Sequence, residues 1–464
     1  MDERLTYTKK EAGLYLTGLF GQNLIYNIVT AGLYYYFQNV ICLPAMALGW
    51  IFAIARIWDA INDPMMGSIV DKTKSKWGKC KPYLLFAPLV VCVITCVAFL
   101  NGNYAVAKQD DNTVAMVLIV AWAAVSYILW GMSYTAGDVP LWGVISRMSE
   151  VEKDRANLIA LARIVASIAA GLGIVSVVAL SQAANKQFGE SENAQKGFIV
   201  VGIAMTVIAS LLFECAGLGV KERVPNSEET KTMKESFILM WKCKPFRRLM
   251  ISGILRAPLQ LLATVVMTLF TYYYCDGDLT NAFSNGKTFL TVVIVGGAFF
   301  IGQFGATAVC PALMKKIDVK KLYNLTALSA VPMALLFVTY LMAPAELTKI
   351  GWVVIDGIFF SGQSFITKFS AGISSIISAY VYSLVGYSDV NIEKMNTAIA
   401  NGASFASDFQ PYSKAMWFLL TVPPAIGMAV AVLPTLKYEI TTKSHSKMLE
   451  ELIERHKSEK SEKA

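Results

Sequence analysis

The sequence predicts an all-α polytopic membrane protein. Of its 464 residues, 55% are hydrophobic and only 16% are charged, whereas a soluble protein carries about a quarter charged residues. The mean hydropathy is +0.50. Apolar segments close to the length that crosses a bilayer recur along the chain, for example at 82–100, 197–219 and 322–343. Helices satisfy their own backbone hydrogen bonds in lipid, so segments of this length indicate membrane-spanning helices.

Lysine and arginine are concentrated in alternate loops, at 72–81, 147–155, 221–248 and 315–321. The loops near Cys42, Asp110, Gln187 and Asp278 are poorer in positive charge. The positive-inside rule therefore predicts that the first set and both termini are cytoplasmic, in a multi-pass protein of the plasma (inner) membrane. The polar start MDERLTYTKK predicts no cleavable signal peptide. Because the basic residues are confined to short loops, the net charge of +8 does not indicate a nucleic-acid partner.

A polar stretch divides the chain into two helical halves. We expect an N-terminal six-helix bundle at 1–220, a cytoplasmic linker at 221–245, a C-terminal helical bundle at 246–440 and a charged cytoplasmic tail at 441–464. In the second half, the apolar stretch 350–387 is too long for one crossing and barely long enough for two. The remaining spans would place both ends of this half on the cytoplasmic side only if that stretch crosses twice.

The positions of the histidines and cysteines argue against metal binding and against proton transfer by histidine within the membrane. Both histidines, His445 and His456, lie in the tail, and the eight cysteines are scattered. We therefore expect no metal cluster and no cofactor, and any intramembrane proton transfer must use carboxylates. No nucleophile–base pair or phosphate-binding loop stands out, which argues against an enzyme.

The run RIWDAINDPMMG, from Arg56 to Gly67, places charges inside an apolar segment. On a helix, Asp59, Asn62 and Asp63 share one face. A carboxylate in a bilayer costs several kcal/mol unless it is paired, hydrated or bound to a ligand. The spacing therefore predicts a cation or proton site, and the alternative is a structural ion pair between Asp59 and Arg56.

A second polar cluster lies in SYTAGDVPLWGVISR. Helical spacing stacks Thr135, Asp138 and Trp142 along one stripe. Further on, Arg163 stands alone in an apolar helix, so we expect a carboxylate partner, with Asp138 the first candidate. An aromatic ring beside charged hydrogen-bonding groups is typical of sugar sites, although Trp142 alone would also suit ordinary packing.

These two runs resemble a known family. RIWDAINDPMMG is similar to the second-helix signature, and YILWGMSYTAGDVPLW to the fourth-helix signature, of the glycoside–pentoside–hexuronide:cation symporters, typified by melibiose permease. This family belongs to the major facilitator superfamily, and the similarity extends from about residue 13 to 436. The resemblance implies a twelve-helix fold of two bundles and a coupling ion that is Na⁺, Li⁺ or H⁺.

The resemblance also implies roles for individual residues. The cation site would use Asp59, Asn62, Asp63 and Thr135. The sugar site would use Asp138, Trp142 and Arg163, and GIFFSGQSFITK resembles the start of the eleventh helix, which adds Lys368. The loop GSIVDKTKSKWGKCKP fits the superfamily's cytoplasmic gate pattern at Gly67, Asp71, Gly78 and Lys81. A plain positive-inside loop is the alternative there, although Asp71 is unexpected in one and would suit an electrostatic latch on a helix end.

The chain departs from the family pattern at two places. Where melibiose permease has a first-helix aspartate, this chain has Asn23, preceded by Gln22, so galactoside preference does not carry over. The tenth helix and its following loop are also missing before the eleventh-helix signature. We therefore expect a second half that is one helix short, unless 350–387 supplies both passes.

Together, the residues and the resemblance predict a cation-coupled importer of a sugar or glycoside that works by alternating access. Its partners would be the sugar, the coupling cation and the lipid bilayer, and we expect a monomer. Two alternatives keep part of this prediction. One is a carrier of a lysolipid or other amphipathic solute, and the other is a membrane sensor that binds sugar without transporting it.

Overall fold

The computed structural model describes residues 6–223, 242–261, 265, 268–279, 318–342, 374, 376–387 and 389–436. Within these ranges the regular structure is helical and contains no strand, which agrees with the predicted all-α fold. Lys368, the tail 441–464 and most of the stretch 350–387 lie outside the described residues. The role of Lys368, the number of crossings in that stretch and the missing helix therefore stay predictions.

Six long helices occupy the first part of the chain. They are α1 (Lys9–Asn27), α2 (Ala45–Lys72), α3 (Lys81–Phe99), α4 (Thr113–Gly143), α5 (Glu152–Gln187) and α6 (Gln195–Gly219). Two π-helical segments, Ile28–Leu33 and Tyr36–Val40, continue α1. Short helices follow α3 and α4, at Tyr104–Gln109 and Ile145–Met148.

The second part contributes α7 (Lys244–Leu255), α8 (Ala330–Met342), α9 (Asp389–Ala400) and α10 (Gln410–Val430). Shorter helical segments lie at Ala257–Gln260, Phe270–Tyr274, Val319–Leu325, Thr326–Ser329, Phe405–Asp408 and Val432–Leu436. Residues 376–384 are also helical.

Of the helices in the described ranges, six are long and apolar enough to cross a membrane. They are Ala45–Lys72, Lys81–Gln109, Thr113–Met148, Asn157–Gln187, Gln195–Gly219 and Gln410–Leu436. Many apolar side chains on their outer faces are exposed, such as Val93 (63%) and Leu211 (65%). An apolar exterior of this kind suits contact with lipid.

Local sequence signals set where α1 and α3 begin. The Thr8 hydroxyl accepts a hydrogen bond from the Glu11 backbone N–H, and the Glu11 carboxylate accepts one from the Thr8 N–H, which forms a capping box. Pro82 stands in the first turn of α3. Backbone N–H groups have no partner within the helix at this position, so the N–H that proline lacks is not missed.

Small residues bring α1 and α6 into close contact. A Cβ added at Gly18 would lie 2.3 Å from the Ala216 Cβ, and one at Gly21 would lie 2.4 Å from the Ala209 carbonyl oxygen and the Phe213 nitrogen. Membrane helices associate largely through such close packing, because lipid provides no hydrophobic drive between them.

We predict that Gly21→Ala destabilises the protein, because the added methyl would overlap the α6 backbone. Overpacking of this kind costs ~1–3 kcal/mol, which exceeds the gain in helix propensity from glycine to alanine. The measurement is the thermal unfolding midpoint of purified protein in detergent.

Gly13→Ala on the same helix is the matched control, since an added Cβ there meets nothing within 4 Å. It should leave the midpoint unchanged or raise it. Equal effects of the two substitutions would contradict the packing of α1 against α6.

Candidate functional site

Two charged residues of α2, Arg56 and Asp59, lie buried against α4 and α1. Arg56 and Asp59 are each 3% exposed, and the Arg56 guanidinium donates to Asp59 Oδ2 at 3.2 Å. The same guanidinium donates to the Tyr127 hydroxyl at 2.9 Å and lies 5.8 Å from the ring centroids of Tyr26 and Tyr127. The structure therefore contains the ion pair that was the alternative interpretation of Asp59.

Asp63, one turn further along α2, contacts α4. Its Oδ1 accepts a hydrogen bond from the Thr135 hydroxyl at 3.0 Å. The Asn62 amide nitrogen is buried and has no hydrogen-bond partner among the described residues. The structure thus brings together Asp63 and Thr135, which the family resemblance assigned to one cation site, with Asn62 next to Asp63 in the chain.

Asp59 is also held by the shape of α4. A Cβ added at Gly131 would lie 2.5 Å from Asp59 Oδ1. Glycine at this position therefore leaves the space that the carboxylate occupies. This contact was not predicted, and a lone glycine within the apolar run YILWGM gave no signal for it.

Asp138 contacts α1 through Gln22. The Gln22 amide donates to Asp138 Oδ1 at 2.7 Å and also contacts the Tyr134 hydroxyl. Asn23, the residue predicted for the sugar site, instead donates to the Leu19 carbonyl at 3.0 Å and to Gln22 Oε1 at 2.7 Å. Gln22 is therefore the direct neighbour of Asp138, and Asn23 supports it.

The expected ion pair between Arg163 and Asp138 is replaced by a stacking contact. The Arg163 guanidinium lies 4.8 Å from the centroid of the Trp142 ring. Arg163 is exposed, and Trp142 and Asp138 are half-buried. The expectation assumed a buried arginine, whereas an accessible guanidinium needs no carboxylate and can stack on an indole.

Three polar residues of α4 therefore reach three different helices. Thr135 contacts Asp63 on α2, Asp138 contacts Gln22 on α1, and Trp142 contacts Arg163 on α5. The residues follow one another at steps of three and four, so they lie on nearly the same face of α4. We call Asp63, Thr135, Gln22, Asp138, Trp142 and Arg163 the central site.

Part of the gate predicted in the loop after α2 forms a charge cluster. Asp71, whose side chain is 60% exposed, accepts from Arg147 at 3.0 Å. Lys81 donates through Nζ to the Val220 carbonyl at 3.0 Å. Gly78 has a φ of +111°, which favours glycine. A Cβ added at Gly67 would meet no atom within 4 Å, so packing does not require glycine there.

Glu222, which sequence reasoning missed, organises this cluster. Its carboxylate accepts backbone hydrogen bonds from Lys79 at 3.1 Å, Cys80 at 2.7 Å and Lys81 at 3.0 Å. Arg147 lies 3.5 Å from the same carboxylate. A negative charge at the start of α3 is favoured by the helix dipole. Glu222, rather than Asp71, therefore holds a helix end in this structure.

Burial in this cluster also affects Cys80. The side chain is 1% exposed, and loss of solvation raises the pKa of the Cys80 thiol to about 12. A thiol with so high a pKa carries almost no thiolate at neutral pH, so Cys80 is unreactive there.

At the opposite end of the helices, where the charge-poor loops lie, the two parts of the chain are joined by hydrogen bonds. The Gln182 amide donates to the Gly277 carbonyl at 3.0 Å, and its oxygen accepts from the Leu279 N–H at 2.7 Å. Lys186, one turn along α5, forms an ion pair with Asp278, whose side chain is 7% exposed.

Asn39, in the π-helical segment Tyr36–Val40, adds to this contact. Its Oδ1 accepts from the Tyr387 hydroxyl at 3.0 Å, and its carbonyl accepts from Asn396 at 3.4 Å. We call Asn39, Gln182 and Lys186, with their partners in the second part, the closing network.

Comparison with known proteins identifies sugar transporters. A family model described as MFS/sugar transport protein matches residues 14–355. The isoprimeverose transporter of Lactiplantibacillus pentosus is 24% identical over 466 residues, covering 95% of this chain and 90% of that protein. An inner membrane symporter of Escherichia coli (strain K12) is 24% identical over 487 residues, covering 98% and 96%. Among solved structures, a major facilitator superfamily proton:xylose symporter matches with a TM-score of 0.52 at 14% identity, covering 94% of this chain and 97% of that one.

We predict that Glu222→Gln lowers the thermal unfolding midpoint of the purified protein. The amide keeps one oxygen acceptor but has no negative charge, so the interactions with three backbone N–H groups and with Arg147 are weakened. Hydrogen bonds to a charged group contribute ~1.5–3 kcal/mol. Glu190→Gln, at an exposed position after α5, is the control. Identical midpoints for the two variants would show that Glu222 does not stabilise the start of α3.

Proposed function

Because this chain belongs to the family of MFS/sugar transport proteins, we propose that it couples the import of a sugar or glycoside to the entry of a cation. Cation-coupled sugar transport is the activity of the glycoside–pentoside–hexuronide:cation symporters, to which the matching relatives belong. The identity of the ion and the sugar, and the residues that bind them, are part of the proposal.

The observation that carries the proposal is the arrangement of α4. Thr135 faces a carboxylate of α2 and Asp138 lies one turn away facing α1. A cation bound at the first residue and a sugar bound at the second would therefore act on the same rigid helix. Coupling between two ligands requires that both bias one shared conformational equilibrium.

The proposed cation site uses Asp63, Thr135 and Asn62, with Asp59 as a further oxygen ligand. Carboxylate, hydroxyl and amide oxygens are the ligands that hard cations prefer. Arg56 donates to Asp59 in this structure, so the cation competes with the guanidinium for that carboxylate. Cation binding at Asp59 would then shift Arg56 toward Tyr127 and Tyr26, which it already contacts.

The proposed sugar site uses Asp138, Gln22, Trp142 and Arg163. The carboxylate accepts hydrogen bonds from sugar hydroxyls, and the amide of Gln22 can both donate and accept. The indole of Trp142 provides an apolar plate for the face of a sugar ring. Lys368, outside the described residues, would approach from the second half.

Alternating access follows from the closing network. Its members lie at the end with few positive charges, which we propose to be the external side. Breaking its hydrogen bonds would open the central site to the outside, and the two parts of the chain would rock about that site. The relatives are symporters and transporters rather than enzymes.

The alternatives make different predictions. A carrier of lysolipids would need an apolar substrate path, whereas Asp138, Gln22 and Arg163 favour a polyol. A sensor would bind sugar in purified form but would show no counterflow in vesicles. Counterflow of a labelled glycoside therefore separates transport from sensing, and a panel that starts with isoprimeverose and includes xylosides and glucosides tests the substrate class.

We predict that sodium or lithium stabilises the purified protein saturably when it replaces choline at constant ionic strength. A ligand at a hundredfold excess over Kd raises the free energy of unfolding by ~2.7 kcal/mol. Asp63→Asn should abolish this stabilisation, because the amide removes the charge that attracts the ion. The measurement is the thermal unfolding midpoint against ion concentration.

Asp110→Asn, at an exposed loop position, is the matched control and should retain the full effect. Stabilisation that survives in Asp63→Asn would overturn the proposed cation site. The coupling ion is the proton if two results are found together. Neither alkali ion stabilises the wild type, and sugar binding is accompanied by proton uptake in the wild type but not in Asp63→Asn.

We predict that Gln182→Ala opens the external side more often. It removes the two hydrogen bonds from Gln182 to the second part of the chain, which contribute about 0.5–1.5 kcal/mol each, so the open population should rise about fivefold or more. Cys275, which is 2% exposed beside this network, reports the opening. A membrane-impermeant maleimide, applied to cells expressing a variant with Cys275 as its sole cysteine, measures the rate.

Gln187→Ala is the control, because Gln187 is an exposed glutamine at the end of the same helix. It should label at the wild-type rate. If Gln182→Ala labels no faster than this control, the closing network does not hold the external side shut.

A further inference from the structure

A cavity of about 410 Å³ lies away from the central site, between α3, α4 and the loop after α2. Phe86 and Val90 of α3 line it together with Ser133 and Ala136 of α4. Thr73 and Ser75 of the loop also line it. The helices therefore give the cavity a mostly apolar lining, and the loop adds two hydroxyl groups.

The cavity opens at the apolar outer surface of α3. Phe86 is 58% exposed and Val90 is 50% exposed. Leu89 and Val93 continue this face along the helix, at 58% and 63% exposed. Since α3 lies within the apolar span Lys81–Gln109, this face meets hydrocarbon in a bilayer. A chain of CH₂ groups is the chemistry that fits the groove.

The loop above the groove is strongly basic. Lys72, Lys74 and Lys76 are all exposed beside Thr73 and Ser75. The nearby Asp71 is engaged by Arg147. Lysines clustered just beyond the end of a membrane helix attract anionic lipid headgroups.

The loop also has a defined shape. Ser75 Oγ donates to the Gly78 carbonyl at 2.7 Å and accepts from the Trp77 N–H at 3.1 Å. The Thr73 hydroxyl lies 2.7 Å from that of Tyr83 on α3. Trp77 is 56% exposed, and its ring centroid lies 6.4 Å from that of Phe86. An exposed tryptophan over an apolar groove is typical of the bilayer interface.

We propose that this groove binds one anionic phospholipid. One acyl chain lies between α3 and α4 along Phe86 and Val90, and the phosphate lies at Lys74 and Lys76. Lysines in this loop would satisfy the positive-inside rule without any groove, but an apolar cavity directly below them matches both ends of a lipid. This proposal goes beyond the proposed transport function and does not depend on it.

Native mass spectrometry of the purified full chain tests the proposal. The probes are dioleoyl phosphatidylglycerol and dioleoyl phosphatidylcholine, which share their acyl chains and differ in headgroup charge. The wild type should retain phosphatidylglycerol preferentially. Lys74→Gln with Lys76→Gln should reduce that retention by about 25-fold, since each lysine near an anionic lipid accounts for about fivefold.

The matched control is Lys9→Gln with Lys10→Gln, two exposed lysines at the start of α1 that remove the same charge. This variant should bind phosphatidylglycerol like the wild type. Equal retention of the two lipids by the wild type, or equal loss in the two double variants, would overturn the proposal.

A second variant tests the groove rather than the charge. Ala136→Leu adds a larger side chain to the lining of the cavity and should reduce retention of phosphatidylglycerol by about tenfold, with all lysines present. Ser133→Leu serves the same purpose if Ala136→Leu fails to fold, as judged by its thermal midpoint. Undiminished retention in a folded groove variant would show that surface charge alone holds the lipid and would refute the site.

Discussion

The first half of the protein is organised by the cost of holding charge in an interior that water does not reach. Arg56 and Asp59 are both almost fully buried, and each meets the other at 3.2 Å. Two tyrosine rings and one tyrosine hydroxyl complete the surroundings of the guanidinium. Removal of either charged partner would leave the other uncompensated, at a cost of about 3–5 kcal/mol. The positions of α1, α2 and α4 therefore depend on this pair.

The next carboxylates along this surface accept hydrogen bonds from a hydroxyl and an amide. Asp63 accepts from the hydroxyl of Thr135, and Asp138 accepts from the amide of Gln22. In the proposed function, a cation would bind at the first of these carboxylates and sugar hydroxyls at the second. Because Thr135 and Asp138 lie on one helix, occupancy of either point would then change the surroundings of the other.

Helical periodicity predicted which polar residues share one face of a helix, such as Asp59 and Asp63 on α2. The juxtaposition of Asp63 with Thr135 across two helices came from the resemblance to the symporter family. The Arg163–Asp138 pair was wrong because exposure, which periodicity does not give, decided whether Arg163 needed a carboxylate. Gln22 was passed over for Asn23, since two adjacent polar residues on a helix cannot be ranked before the neighbouring helix is placed.

Contacts between distant segments could not be predicted from the sequence either, because they too depend on how the helices are placed. Glu222 lies 143 positions after Lys79, and no local pattern links a glutamate after α6 to the start of α3. The partners of Gln182 in the second part are the backbone groups of Gly277 and Leu279, so residue types gave no hint of this contact. The all-α class and the membrane-spanning segments, by contrast, follow from composition and segment length alone.

If cation and sugar act through one helix, each must raise the affinity of the other. Calorimetry would measure the affinity of the tightest-binding glycoside without and with saturating cation, and then the affinity of the cation without and with saturating glycoside. We expect both affinities to rise by the same factor, about fivefold or more. A glycoside affinity that does not change with sodium, lithium or pH would contradict it.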